Sequence, residues 1–593
     1  MIELNELNNL QNVFSAVDYS VVIAMLLTSM GIGLYHSWKR RGMTSDELEY
    51  LMAGRKMTVI PVSLSILASS LSSLGLLIFS TEMYLYGSGF FFYIFPQFAA
   101  VWFFNKFMLP IFHGLKITSL YHYLEKRFDR RVRIFGSASF ILLAVLYMPI
   151  LLYMPCLSFK QFTGIDVKIT GTVLVVVVIT YTCIGGFRAT VWTDVFQSIA
   201  MFGAIFIVLV KGYVDLVKEV GAKAIFQLNY NTDRYIFPTL NPDPTLRQSI
   251  WSIFIGGMCI TSCCNQLVVQ RCLALPTLEK ARRATWIYIV LFCMIFVIGV
   301  FGGSLLVTVF RHCDPKIAGI VDEYDQLFPL LVLLLSHTLP SLMGIYMGGM
   351  FCASLSSIST FLNSLAAVVL EDFCKPFVRL SNRAKGLIMR CVVVAFGLST
   401  IPLITIAEKT DTIGQFAVRI ESITGSSILG IFVLGIFCPS INGTCALIGG
   451  ISCIFLVGWI CFSASKAIAD GSLAFDIKPI EYRGCSEIFN ITMNLDNLEL
   501  NQNLTHLTKE TEGSDVMFLF RISFLYYLPL GILTTIFIAF IARIFLGGNE
   551  EVDSKLIWQY SRSQKHIKVN QRDVLEDEEC GKLMRHEGNV MIN

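Results

Sequence analysis

Between Gly348 and Val368 an otherwise apolar stretch carries Ser354, Ser356, Ser357, Ser359, Thr360, Asn363 and Ser364. Hydroxyls in lipid are tolerated when they bond to their own helix or to a neighbour. Ala353, Ser356 and Ser357 lie three and four positions apart, so a helix puts them on one face. Two hydroxyl oxygens and an outward-tilted carbonyl there supply part of an oxygen cage for a hard cation such as sodium. The same spacing also suits a small-residue face packed tightly on its neighbours. A second polar interruption runs from Ser65 to Gly75 and holds Ser69, Ser70, Ser72 and Ser73. Backbone left unpaired at mid-membrane must line a cavity or face protein. A break in this helix frees carbonyls for an ion and helix ends for a solute; an unbroken helix with a small-residue face is the alternative.

These stretches need a membrane scaffold, and the composition supplies one. The 593 residues are 54% hydrophobic and 15% charged, against about 25% charged in soluble domains. Mean hydropathy is +0.65. The apolar runs are helix-length, which predicts an all-α polytopic membrane protein of about thirteen spans. They fall near 17–36, 57–80, 87–110, 133–160, 167–184, 190–212, 248–270, 284–310, 337–370, 386–406, 413–438, 442–464 and 518–546. The net charge of +3 does not point to nucleic acid, because the basic residues cluster in short loops. Met1 to Asp18 is polar and acidic, unlike a cleavable signal peptide. Most of the 17 cysteines lie inside apolar runs and form neither a disulfide framework nor a zinc pattern.

Orientation follows from the short loops. Lys39 to Lys56, Lys116 to Arg133, Arg188, Lys280 to Arg283 and Lys375 to Lys385 alternate correctly for one side, which the positive-inside rule makes cytoplasmic. The amino terminus is then extracellular and the carboxyl tail cytoplasmic. The polar insert 465–517 falls outside and holds the acceptors Asn490 and Asn503. Cys313 and Cys485 are both placed outside and are a possible disulfide pair, although spacing does not fix connectivity. The charged tail after residue 547 lacks a hydrophobic face and reads as flexible. The two serine-rich spans, seven apart in order, suggest sites on the first and eighth helices of a five-helix inverted repeat.

Several motifs then agree with one family. Tyr181-Thr-Cys-Ile-Gly-Gly186 followed by Ala189-Thr-Val-Trp-Thr-Asp-Val-Phe-Gln197 resembles the signature of the sodium:solute symporter family. Leu51 to Arg55, Ser80 to Gly87, Thr118 to Phe128 and Ala366 to Asp372 resemble it too, most of all its branch of monocarboxylate, multivitamin and iodide cotransporters. The resemblance runs from about Asp18 to Leu546 and implies a five-plus-five inverted-repeat (LeuT-like) core with a discontinuous first core helix. One helix precedes the core and two follow it. The implied division is 1–56 (terminus, first helix and loop), 57–438 (ten-helix core), 439–546 (two helices with the 465–517 loop) and 547–593 (tail).

The resemblance also implies ligands. Carbonyls of Ala68, Leu71 and Ala353 and hydroxyls of Ser356 and Ser357 would bind sodium, the coupling ion, and Asp194 would lie on its release path. Candidate solute contacts are Ser69, Ser70 and Ser72 on the broken helix, Gln97 and Tyr147 on the next spans, Asn265 with Gln266 before Gln270-Arg271, and Ser422 and Thr424 on core helix ten. Pro149 departs from the family pattern, and Gly75 stands where iodide-type members carry a polar side chain. Arg419 and Glu421 sit in an apolar helix: either faces the pathway, or both snorkel near a membrane surface. No His lies deep in a span and no nucleophile motif occurs, so an embedded enzyme is disfavoured. The expected activity is sodium-coupled import of a small organic solute across the plasma membrane by alternating access, the solute being a monocarboxylate or vitamin-like anion. A sensor or leak pathway would keep the same sites; a symporter for a different solute, such as iodide or sugar, is the other alternative. No obligate protein partner is implied.

Overall fold

A computed structural model describes residues 14–39, 47–260, 264–321, 323–337, 339–407, 413–473, 475, 477–478, 516–547 and 552–558. Asn490, Asn503 and Cys485 lie outside them; Cys313 is disulfide-bonded. Among the described residues the protein is helical, with no strand beyond an isolated bridge between Thr239 and Ser249. Among the described residues ten helices are long and apolar enough to cross a membrane. The elements that position the site are α1 (Ala16–Trp38), α2 (Val59–Ser70), α3 (Ser73–Tyr86), α4 (Ile94–Phe103), α5 (Arg130–Thr163), α6 (Val167–Glu219), α7 (Ile250–Ile260), α8 (Gln266–Leu273), α9 (Leu278–Val309), α10 (Leu342–Val368), α11 (Asn382–Ala407), α12 (Ile413–Phe437), α13 (Gly443–Ala469) and α14 (Tyr527–Leu546).

The span expected at 57–80 is two helices. Leu71 (φ −101°, ψ 119°) and Ser72 (φ −108°, ψ 170°) are extended, so α2 stops at Ser70 and α3 restarts at Ser73. Neither glycine nor proline makes the break. Serines that can bond to nearby backbone weaken the helix locally, and tertiary partners hold the opened turn. The span expected at 248–270 is also two helices: α7 ends at Ile260, and Asn265 caps α8 by accepting from the Val268 amide at 2.9 Å. This second interruption corrects the reading of one unbroken span. Its sequence signal is the polar run Thr261-Ser262-Cys263-Cys264-Asn265, which ends in an N-cap residue.

The 53 residues of α6 would measure about 80 Å if straight, well over twice the hydrocarbon thickness. Gly186 (φ 63°, ψ −167°) bends the chain in a region open to glycine, separating the two runs read as 167–184 and 190–212. The span expected at 337–370 instead starts at Leu342, after a separate helix Leu327–Ser336.

At the centre stands α10, almost every residue of which is buried. It packs on α6, α1, α5, α11 and α2. The Gly344 amide donates to Asp18 Oδ1 at 2.8 Å, fixing α1 against it. α3 lies along α9 because Gly299, Gly302 and Gly303 let the backbones approach, as small residues do in lipid. A Cβ on Gly303 would sit 2.3 Å from the Met83 side chain and 2.8 Å from the Ser80 carbonyl oxygen. Gly303→Val is expected to cost about 1–3 kcal/mol by overpacking and to lower the thermal midpoint of the solubilised protein; an unchanged midpoint would show that α3 and α9 can separate freely.

Candidate functional site

At the α2–α3 break the Ala68 and Leu71 carbonyls no longer have a helical partner, and α10 supplies one. Ser356 Oγ lies 3.0 Å from Ala68 O and 2.9 Å from Ala353 O. Ser357 Oγ lies 3.3 Å from Ala68 O, 3.4 Å from Leu71 O and 3.2 Å from Ala353 O. Three carbonyls and two hydroxyls therefore converge, with only two O–H donors among five oxygens. Both serines are 1% exposed. Such an electron-rich, carboxylate-free cluster suits a hard monovalent cation: each hydroxyl can turn its proton away and offer a lone pair. The negative end of the α2 dipole points the same way. Among the described residues no grouping of three or more His, Cys, Asp or Glu side chains could hold a metal ion. Beside the cluster, Ser354 Oγ donates to Leu151 O at 2.7 Å and meets Ser73 Oγ at 2.8 Å, tying α10, α5 and α3 together.

Asp194 sits one helical turn along. Ser65, three residues before Ala68, donates to Asp194 Oδ2 at 2.5 Å. Arg271 of α8 donates from Nη2 to the same oxygen at 3.1 Å, from Nε to Ser65 Oγ at 2.7 Å, and also to Thr360. Thr360 in turn donates to Ser356 O at 2.8 Å. Asp194 Oδ1 is buried and has no hydrogen-bond partner among the described residues. The network thus links α2, α6, α8 and α10 next to the oxygen cluster. Arg271 was read only as part of a sequence motif. Its role is legible only once α8 exists as a separate helix, because i→i+4 spacing puts Leu267 O under its Nη1 at 3.1 Å.

A cavity of about 210 Å³ adjoins the cluster. Ser69, Ser70, Ser72 and Ser357 line one part of it, and Tyr147 and Asn265 line others. Gln266 does not line it: its Oε1 accepts from the Leu120 amide at 2.8 Å and its Nε2 donates to Thr118 O, which clamps a neighbouring turn. Gln97 is 1% exposed and does not line the cavity, and its Oε1 has no hydrogen-bond partner among the described residues. Ser422 and Thr424 also face elsewhere. Thr424 Oγ1 donates to Ile420 O at 2.9 Å, and the Ser422 carbonyl accepts from Ser426. Ser427 of the same helix donates to Gly450 O of α13 at 2.9 Å. The face of α12 turned to the cavity is Glu421, Gly425, Ile428 and Leu429, at helical i, i+4, i+7 and i+8 spacing. Arg419 lies off the cavity and donates to Ser465 of α13.

Two charged locks flank this region. Arg247 pairs with Glu82 of α3 and stacks 3.9 Å from the Tyr86 ring centroid. Toward the other end, Arg133 Nε donates to Asp372 Oδ1 at 2.8 Å, while Ser119 and Ser137 donate to Asp372 Oδ2 at 2.7 and 2.6 Å.

Broken helices, an oxygen cluster at their crossing and a cavity beside it define an ion-coupled membrane carrier. The chain belongs to the sodium:solute symporter family, whose model matches residues 50–453. It is 32% identical over 545 residues to sodium-coupled monocarboxylate transporter 1 of Xenopus laevis, covering 90% of this chain and 86% of that one. It is 32% identical to a putative sodium-dependent multivitamin transporter of Drosophila melanogaster (88% and 85% covered) and 33% identical to the human sodium/iodide cotransporter (76% and 70%). A substrate-bound, outward-open sodium-coupled sialic acid symporter shares the fold at TM-score 0.68 and 20% identity, covering 90% of this chain and 99% of that one. The protein is accordingly a multi-pass, sodium-coupled symporter of a small solute, and sodium is its coupling ion.

Proposed function

We propose that this symporter imports a small carboxylate, a monocarboxylate or vitamin-like organic anion, using a sodium ion held where α2, α3 and α10 cross. The observation that carries the reading is the convergence of Ala68 O, Leu71 O, Ala353 O, Ser356 Oγ and Ser357 Oγ on one point beside the cavity. Sodium there bridges the broken helix to α10 and favours the state in which they are joined; its release frees them. The Asp194–Arg271 network one turn away is the release path. The substrate carboxylate sits against Ser69, Ser70 and Ser72, where the amino-terminal end of α3 offers partial positive charge. Support for an organic anion comes from the monocarboxylate and multivitamin names of the relatives.

We place the ten-helix core at 57–438, one helix before it and two after, and the protein in the plasma membrane. Its amino terminus is outside, its tail 547–593 inside, and the 465–517 loop is glycosylated at Asn490 and Asn503 and bridged through Cys485 to Cys313. Uptake of labelled lactate, butyrate, nicotinate, biotin, pantothenate, iodide and glucose, with and without sodium, tests the substrate reading. At least one carboxylate is expected to accumulate only with sodium and to carry inward current under voltage clamp. Sodium-dependent uptake confined to iodide or glucose would refute the anion class, and substrate-evoked current without accumulation would refute coupled transport.

A further inference from the structure

The cavity beside the oxygen cluster is unusual for a compartment that takes only anions. Among the described residues its single charged lining residue is an acid, Glu421 of α12, and no Lys, Arg or His lines it. Among the described residues no hydrogen bond or ion pair neutralises Glu421, and the nearby Arg419 points to α13 instead. The remaining wall is rich in aromatic rings. Tyr121, Phe140, Phe361 and Tyr147 form a chain with successive centroids 6.0, 6.3 and 5.8 Å apart, and Tyr288 and Phe292 lie 5.6 Å apart on α9.

A carboxylate facing an apolar, aromatic cavity is costly unless a cation meets it. Ring faces and a carboxylate around one space are the recognition chemistry of an organic ammonium group. The same cavity also carries the hydroxyls of Ser69, Ser70, Ser72 and Ser357 and adjoins the proposed ion cage. We infer that the preferred solute is dipolar: a small carboxylate whose far end bears a cationic nitrogen, held by Glu421 among the aromatic rings while its carboxylate faces Ser69, Ser70 and Ser72. This rests on the carboxylate reading above and narrows it. Glu421 is then a specificity residue that penalises simple aliphatic carboxylates, which leave it unpaired.

A matched pair of solutes isolates the charge. 4-(Trimethylammonio)butanoate and 5,5-dimethylhexanoate share their shape and carboxylate, and differ only in nitrogen against carbon at the branched end. Sodium-dependent uptake of each by the full-length protein in proteoliposomes gives two apparent affinities. The wild type is expected to favour the ammonium member by about tenfold or more, which is about 1.4 kcal/mol, and Glu421→Gln to bring the ratio close to one. Equal or better uptake of the uncharged-end member by the wild type would overturn the inference and leave carboxylate symport standing. A preference that survives in Glu421→Gln would overturn the role of Glu421. Sodium-dependent uptake of neither would overturn the dipolar inference, and the wider carboxylate panel above then decides the carboxylate reading itself.

Discussion

Uptake should lose its sodium dependence when Ser356 and Ser357 are both replaced by alanine. Each hydroxyl is one of five converging oxygens, and each removal leaves a buried carbonyl with one partner fewer. A lost ligand worth about 1.4 kcal/mol lowers sodium affinity about tenfold, so the double variant falls by more than about tenfold; the two losses do not simply add, because both serines share the Ala68 and Ala353 carbonyls. Unsatisfied carbonyls also cost about 1–3 kcal/mol each, so surface abundance must be measured beside uptake. The expected result is protein at the surface with little sodium-stimulated uptake at ordinary sodium and partial recovery at high sodium. Full uptake at low sodium would remove these serines from the ion site.

Arg271→Ala is expected to be the most destabilising single substitution near the site. Arg271 and Asp194 are 1% and 0% exposed as a pair, and the guanidinium also bonds Ser65, Leu267 O and Thr360. Removing one partner strands a buried charge at a cost of about 3–5 kcal/mol, a large part of the roughly 5–15 kcal/mol that holds a typical fold. Thermal midpoints of the solubilised protein should fall sharply for Arg271→Ala. They should recover in the doubly neutral Asp194→Asn, Arg271→Met variant, which still carries the wild-type helix packing. A single variant as stable as the wild type would mean that water or another group already serves Asp194. Failure of the double variant to recover would mean that the hydrogen bonds matter more than the charges.

The convergence of oxygens at the α2–α3 break was legible in the sequence because its signal is local. Ala353, Ser356 and Ser357 are fixed on one face by helical spacing alone, and four serines around residue 71 mark the place where the partner helix opens. The family resemblance supplied Ala68 and Leu71, and both carbonyls lie at that opening. What stayed hidden depends on rotation and on distant partners. On α12 the hydroxyls of Ser422 and Thr424 looked like ligands, yet a residue of helix turns about 100°, and the face presented to the cavity begins one position earlier, at Glu421. Polar character in a span says that a partner exists, not whether it is solute, neighbouring helix or the helix's own carbonyl; Thr424 takes the last of these. Gln266 had the right neighbourhood, but the α7–α8 break turned it toward Leu120 and left Asn265 at the cavity. The aromatic wall was invisible for a related reason. Tyr121, Phe140, Tyr288 and Phe361 come from four separate segments, and nothing in any one of them announces the other three.

The ion cage itself is best tested by binding, without a substrate. Purified full-length protein equilibrated with radioactive sodium should show saturable binding that is competed by unlabelled sodium and not by potassium, and Ser356→Ala, Ser357→Ala protein of matched thermal stability should lose it. Saturable binding of the same affinity in that double variant would place the coupling ion elsewhere and contradict the account.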